Sequence, residues 1–124
     1  MNMKKIFIII TTLFFFIVLT FNASRSYAFS TSYVYVYAQN RDSGKTVKKF
    51  DVHVYESHYR NPNRLLRATE ARGAYASFTL RVGKVYFVLV KKHFRDGSFL
   101  EGGKSFRVYD KWSNKVTVRL QYYR

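Results

Sequence analysis

Apolar and polar positions alternate along most of this chain with a period of two. Val34, Val36 and Ala38 interleave with Tyr33, Tyr35 and Tyr37, the pattern of a strand with one buried and one wet face. Asn40 to Lys45 follows as a turn, in which Asn and Asp side chains can bond their own backbone and Gly44 is free to take a positive φ. Phe50, Val52 and Val54 then repeat the alternation opposite Lys49, Asp51 and His53. Ser57 to Asn63 is polar, holds the one proline, Pro62, and reads as a loop. Leu65, Leu66 and Ala68 restart a short strand.

The stretch from Thr69 to Val90 carries the plan of the fold. A turn over Thr69 to Gly73 leads into Ala74, Ala76, Phe78 and Leu80, which alternate with Tyr75, Ser77, Thr79 and Arg81. Val82-Gly83-Lys84 turns the chain into the unbroken apolar run Val85 to Val90. So short a run without a 3.6-residue repeat predicts a strand buried on both faces or nearly so, not a helix. The whole stretch is expected to form a core hairpin. Beyond it, Lys91 to Gly97 and Gly102-Gly103 frame a long, glycine-rich basic loop. Ser105 to Asp110 is a strand, Trp112 to Asn114 a turn, and Val116, Val118, Leu120 and Tyr122 mark the last strand. Seven short strands with regular turn signals predict an all-β fold, a seven-stranded antiparallel β-sandwich of Greek-key type.

The first 28 residues change the picture, because they read as a signal peptide helix and not as part of the domain. Lys4 and Lys5 give a positive start, Ile6 to Phe21 is mostly apolar, and Ser26-Tyr27-Ala28 offers small residues at the positions a signal peptidase reads. An uncleaved membrane anchor is the competing reading. A 16-residue helix reaches only about 24 Å, short of the roughly 30 Å hydrocarbon core. Residues 1–28 are thus expected to be removed and 29–124 to form one β domain with no transmembrane anchor, secreted or periplasmic. The absence of cysteine excludes lipid attachment at that site and fits a bacterial envelope protein better than a disulfide-built miniature domain.

Removing Lys4, Lys5 and Arg25 from the 22 basic residues leaves 19 against 7 acidic ones, a net charge of +12 on the remaining 96 residues. That exceeds the magnitude of about 2 to 8 that solubility asks of a small domain. It points to an anionic partner, although charge that keeps the protein monodisperse, or a lysine-rich genome, accounts for it equally well. Export makes chromosomal nucleic acid a poor target. Anionic glycan, lipid headgroups and extracellular DNA remain, all held by a salt-dependent attraction.

Thr69-Glu70-Ala71-Arg72-Gly73-Ala74-Tyr75, followed by Leu80, Gly83, Tyr86, Val88 and Val90, resembles the Thr-Asp-x-x-Gly-x-Tyr, Leu, Gly, Tyr-x-Val-x-Val signature of carboxypeptidase regulatory-like domains. These belong to the transthyretin-like (prealbumin-like) sandwiches. Asp42-Ser43-Gly44, Val47 and Val52-His53-Val54 also match the opening of that pattern. One departure is the extra residue in Gly83-Lys84-Val85-Tyr86, which predicts a bulge or register shift there. The resemblance implies a binding or structural module and no cofactor. The terminal Tyr122-Tyr123-Arg124 is similar to the Tyr-Arg-Gly-Ser end of the transthyretin-like hydrolases of the urate pathway. The final Gly-Ser is missing, however, and Tyr35 and Tyr37 stand where that family carries its leading histidine, so no enzyme is expected.

Two candidate sites follow from the residues themselves. Lys91, Lys92, His93, Phe94 and Arg95 combine positive charge with an aromatic face, which suits an acidic polymer or headgroup layer; a solvated loop would look the same. Tyr33, Tyr35 and Tyr37 stand on one face at about 6.6 to 7 Å intervals and can stack on sugars or a partner sheet, unless cross-strand neighbours cover them. His53, His58 and His93 sit in no metal-binding motif. Two functions remain open. One is a binding module that takes an anionic ligand through Lys91, Lys92 and Arg95. The other is an assembly protein that docks on an envelope partner through an edge strand or the tyrosine stripe.

Overall fold

The structure, a computed structural model, describes residues 30–124; the expected signal peptide and its cleavage site lie outside the described residues. The elements are β1 Thr31–Asn40, β2 Thr46–Val47, β3 Phe50–Tyr55, a 3-10 turn Pro62–Arg64, β4 Leu65–Ala71, β5 Tyr75–Arg81, β6 Val85–His93, β7 Phe99–Arg107 and β8 Ser113–Tyr123. Among the described residues no helix is long and apolar enough to cross a membrane. The strands form one curled mixed sheet in the order β2-β1-β8-β7-β6-β3-β4, with β5 paired to β1.

The alternation read from the sequence is what the sheet buries. Val34, Val36 and Ala38 of β1, Phe50, Val52 and Val54 of β3, and Ala76, Phe78 and Leu80 of β5 all point into one core. Tyr86, Val88 and Val90 of β6 and Val116, Val118 and Leu120 of β8 complete it. The outer faces of these strands carry the polar and aromatic partners, as a sheet with one solvated side requires. The first turn also behaves as expected. Gly44 has φ +71°, and the Asn40 side chain accepts from the amides of Asp42 at 2.9 Å and Ser43 at 3.3 Å.

Several expectations give way. There are eight strands, because the two-residue β2 pairs with Ala38 and Gln39 and is too short to leave a periodic trace. The sheet is mixed and not antiparallel, since β1 and β8 run parallel from Tyr33 opposite Ser113 to Asn40 opposite Leu120. Thr69 to Val90 is not a hairpin: β4 pairs with β3, β5 with β1, and β6 with β3 and β7. Its three strands follow one another in sequence without pairing as a ladder, because the short Arg72–Ala74 and Val82–Lys84 links join strands that are not neighbours in the sheet order. β6 is buried on one side only; Val85, Phe87 and Leu89 on the other are half-covered. The register shift falls in β3, between Val54 and Tyr55, where it faces β4.

The long basic loop is also absent. β6 runs on to His93 and β7 begins at Phe99, so only Phe94 to Ser98 turns, closed by the Phe94 amide donating to Ser98 O at 2.9 Å. Gly102 and Gly103, expected in that loop, are strand residues paired with Val90 and Leu89. Their lack of side chains is structural. A Cβ at Gly102 would overlap the carbonyl oxygen of Arg119, so β8 passes hard against β7 there; a Cβ at Gly103 would overlap the ring of Phe87, which lies over that position. Forcing a methyl group into packed surroundings costs about 1 to 3 kcal/mol. Gly102→Ala is therefore expected to lower the unfolding free energy by about that amount in urea, whereas Gly73→Ala, which meets nothing within 4 Å, should change it by less than about 0.5 kcal/mol.

Candidate functional site

β5, β1 and β8 lie side by side and turn one residue in two outward. Their register sets Tyr37 opposite Tyr75 and Tyr35 opposite Ser77 on one flank, and Tyr35 opposite Lys115 and Tyr37 opposite Thr117 on the other. The rings gather into a connected surface. Tyr75 meets Tyr35 edge-on at 5.4 Å and Tyr37 at 5.6 Å, and Trp112 meets Tyr33 edge-on at 5.6 Å. The ammonium of Lys115 sits 4.7 Å above the Tyr37 ring, a cation–π contact that keeps a positive charge on the aromatic surface. Cross-strand neighbours thus half-cover Tyr35 and Tyr37 and leave the Tyr33 end and the flanking rings open: Tyr33 is 45% exposed, Tyr75 49% and Trp112 83%.

Trp112 is held out by a pinned turn. The amide nitrogen of buried Asn114 donates to Ser32 Oγ at 3.0 Å and to Tyr109 O at 3.1 Å, while its oxygen accepts from the Tyr109 amide at 3.0 Å. Ser32 Oγ in turn donates to the carbonyl of Lys111. Such a satisfied buried network fixes the backbone on both sides of Trp112, yet among the described residues its indole meets one neighbouring ring, Tyr33. The charge around it is one-sided. The outward positions of β1, β5 and β8 include Arg81, Lys115 and Arg119 and no carboxylate; the nearest acid in sequence is Asp110 of the β7–β8 connection.

The basic stretch is dispersed. Lys91 and His93 point to the outer face of β6, where Lys91 stands between Asp51 and Glu101 in register. Its ammonium lies 3.5 Å from the Glu101 carboxylate and 4.2 Å above the Phe99 ring. Lys92 points the other way and donates to Lys48 O at 2.6 Å. Phe94 and Arg95 occupy the turn beyond, both exposed. Asp96 in the same turn accepts from the Ser98 hydroxyl and amide, which hold its carboxyl below the usual range. The five residues therefore form no common basic surface. A depression of about 250 Å³ joins Lys91 and His93 with Asp51, His53, Arg60, Leu89 and Glu101, so its cations are matched by carboxylates. Among the described residues no group of three or more His, Asp or Glu side chains is disposed to hold a metal ion.

Sequence reasoning found the three tyrosines and missed Tyr75, Lys115 and Trp112. The alternation around Phe78 did mark Tyr75 as outward, but only the pairing of β5 with β1 sets it between Tyr35 and Tyr37. No protein-family model, curated protein or solved structure matches this chain.

One ionic contact outside the aromatic face has a measurable consequence. Lys84 donates to the Glu56 carboxylate, and this hydrogen bond, with the charge of the same lysine, holds the Glu56 carboxyl below the ordinary glutamate value. A carboxyl depressed in the folded state adds stability above its unfolded pKa, about 4.3, and loses it as pH falls through the lowered value. Lys84→Met is expected to return the Glu56 midpoint, followed by carboxyl NMR, upward to the ordinary glutamate range and to remove that part of the acid sensitivity.

Proposed function

We propose that this protein is an exported binding module for an anionic glycan, which it seats on the aromatic face of β5, β1 and β8. The observation that carries the reading is Trp112, 83% exposed beside Tyr33 on a face whose outward strand residues include cations and no acid. Large exposed rings leave apolar surface in water, and contiguous surface of that kind marks binding sites. A glycan fits the mixture: its C–H faces lie on rings, its hydroxyls reach Ser77, Thr79 and Thr117, and its carboxylate or sulfate groups meet Arg81, Lys115 and Arg119. The excess of 19 basic over 7 acidic residues beyond position 28 draws such a polymer in from a distance.

The signal-like leader, Lys4 through Ala28, supports export to the periplasm or beyond. We read the chain as a binding module and not an enzyme, on the likeness of its Thr69 to Val90 residues to the carboxypeptidase regulatory-like signature of the prealbumin-like sandwiches. The residues matched to that signature have structural work to do. Gly83 turns with φ +84°, and Tyr86, Val88 and Val90 are buried.

The protein is expected to be retained on immobilised heparin, to elute with rising salt, and to ignore a neutral dextran matrix. Trp112→Ala and Tyr75→Ala should each weaken heparin binding about tenfold, corresponding to about 1.4 kcal/mol, with an unchanged circular dichroism spectrum. Lys115→Glu should reduce the salt dependence as well as the affinity. Retention that survives Trp112→Ala undiminished would overturn the reading. Tighter binding of a single-stranded oligonucleotide than of heparin would replace the glycan with stacked bases.

A further inference from the structure

Among the described residues the curled sheet does not close. There β4 pairs only with β3 and β5 only with β1, so each leaves one backbone edge without a strand from residues 30–124. The Arg72–Ala74 link ties these two edges together at one end. At the other end they enclose a cleft of about 330 Å³, with Leu66 and Arg67 of β4 on one side, Thr79 to Arg81 of β5 on the other, and Tyr86 below. The Arg81 amide donates to the Tyr86 hydroxyl at 3.1 Å, which turns that amide away from β1 and into the cleft. Strand geometry repeats every two residues, so the amides and carbonyls of Thr79 and Ser77 face the same opening. Across from them β4 is exposed at every residue but Ala71, and Leu65 and Leu66 are 45% and 47% exposed.

An edge of this kind is a template for one more strand, and native sheets ordinarily blunt or cover it. The charges select the occupant. Arg67 and Arg81 on the rim make no ion pair within the described residues, and the one carboxylate lining the cleft, Glu56, is already engaged by Lys84. A second copy of this strongly basic chain would add like charge. We propose that the seam between β4 and β5 receives an extended strand of a partner protein in which acidic residues alternate with small apolar ones. Its backbone pairs with the β5 edge, its apolar side chains cover Leu66, which is exposed on the β4 side of the cleft, and its carboxylates meet Arg67 and Arg81.

The test uses the full-length protein and a synthetic nine-residue peptide that alternates valine with glutamate. Amide exchange followed residue by residue should show at least tenfold slowing at Ser77 and Thr79 when the peptide saturates. The same peptide with lysine for glutamate should not bind, and Arg67→Glu should weaken the acidic peptide at least tenfold while leaving the circular dichroism spectrum intact. Failure of the acidic peptide to bind would overturn the proposal, as would slowing confined to amides of β8 or β6. Protection of Ser77 and Thr79 that rises with protein concentration in the absence of peptide, with doubling of the molecular mass, would assign the seam to a second copy and overturn it equally. Heparin binding that persists in Arg67→Glu separates this result from the fate of the aromatic face.

Discussion

Burial of a single apolar face is the constraint on which the rest of this structure depends. The chain has no cysteine to cross-link it, so cohesion comes from side chains that alternate inward along the strands. The inward set is mostly valine, whose branched side chain packs well on a pleated surface and surrenders little rotamer freedom there. Tyr86 is the exception in kind: it is almost wholly buried, stacks on Phe106 at 6.0 Å and spends its hydroxyl on the Arg81 amide. Once the inner face is committed to the core, every second residue is committed to the outside. The aromatic surface is therefore the other half of the pattern that makes the core.

That commitment explains what the sequence could reveal. Period-two alternation fixes which side of a strand a residue occupies, and it marked Val34, Val52, Phe78 and Val118 as inward and the three tyrosines as outward. It says nothing about which strand lies next door. Ladder partners here are separated by up to 80 positions, as Tyr33 and Ser113 are, and no local signal encodes that choice. Hence Thr69 to Val90 looked like a hairpin, since short links between strands are most often hairpin turns. Gly102 and Gly103 misled for a related reason. A glycine pair resembles a loop unless the approach of Arg119 and Phe87 is known, and those contacts come from other strands.

The same limit applies to the candidate site. Five adjacent residues, Lys91 to Arg95, look like one basic patch along the chain. A strand sends neighbours to opposite faces, so Lys91 meets Glu101 while Lys92 reaches Lys48 O. Adjacency in sequence is thus poor support for adjacency on a sheet, whereas spacing by two is good support. Tyr33, Tyr35 and Tyr37 obey the second rule and remain together. Trp112 lay beyond both rules, because a turn residue has no period; its outward setting depends on the distant pair Ser32 and Asn114.

The parallel ladder between β1 and β8 also sets an order of events. β1 precedes β8 along the chain, so the second edge of β1 stays unfilled until Ser113–Tyr123 has been made. Contacts this remote in sequence slow folding, because a large loop must close before they form. The sheet therefore stays incomplete until β8 has been made.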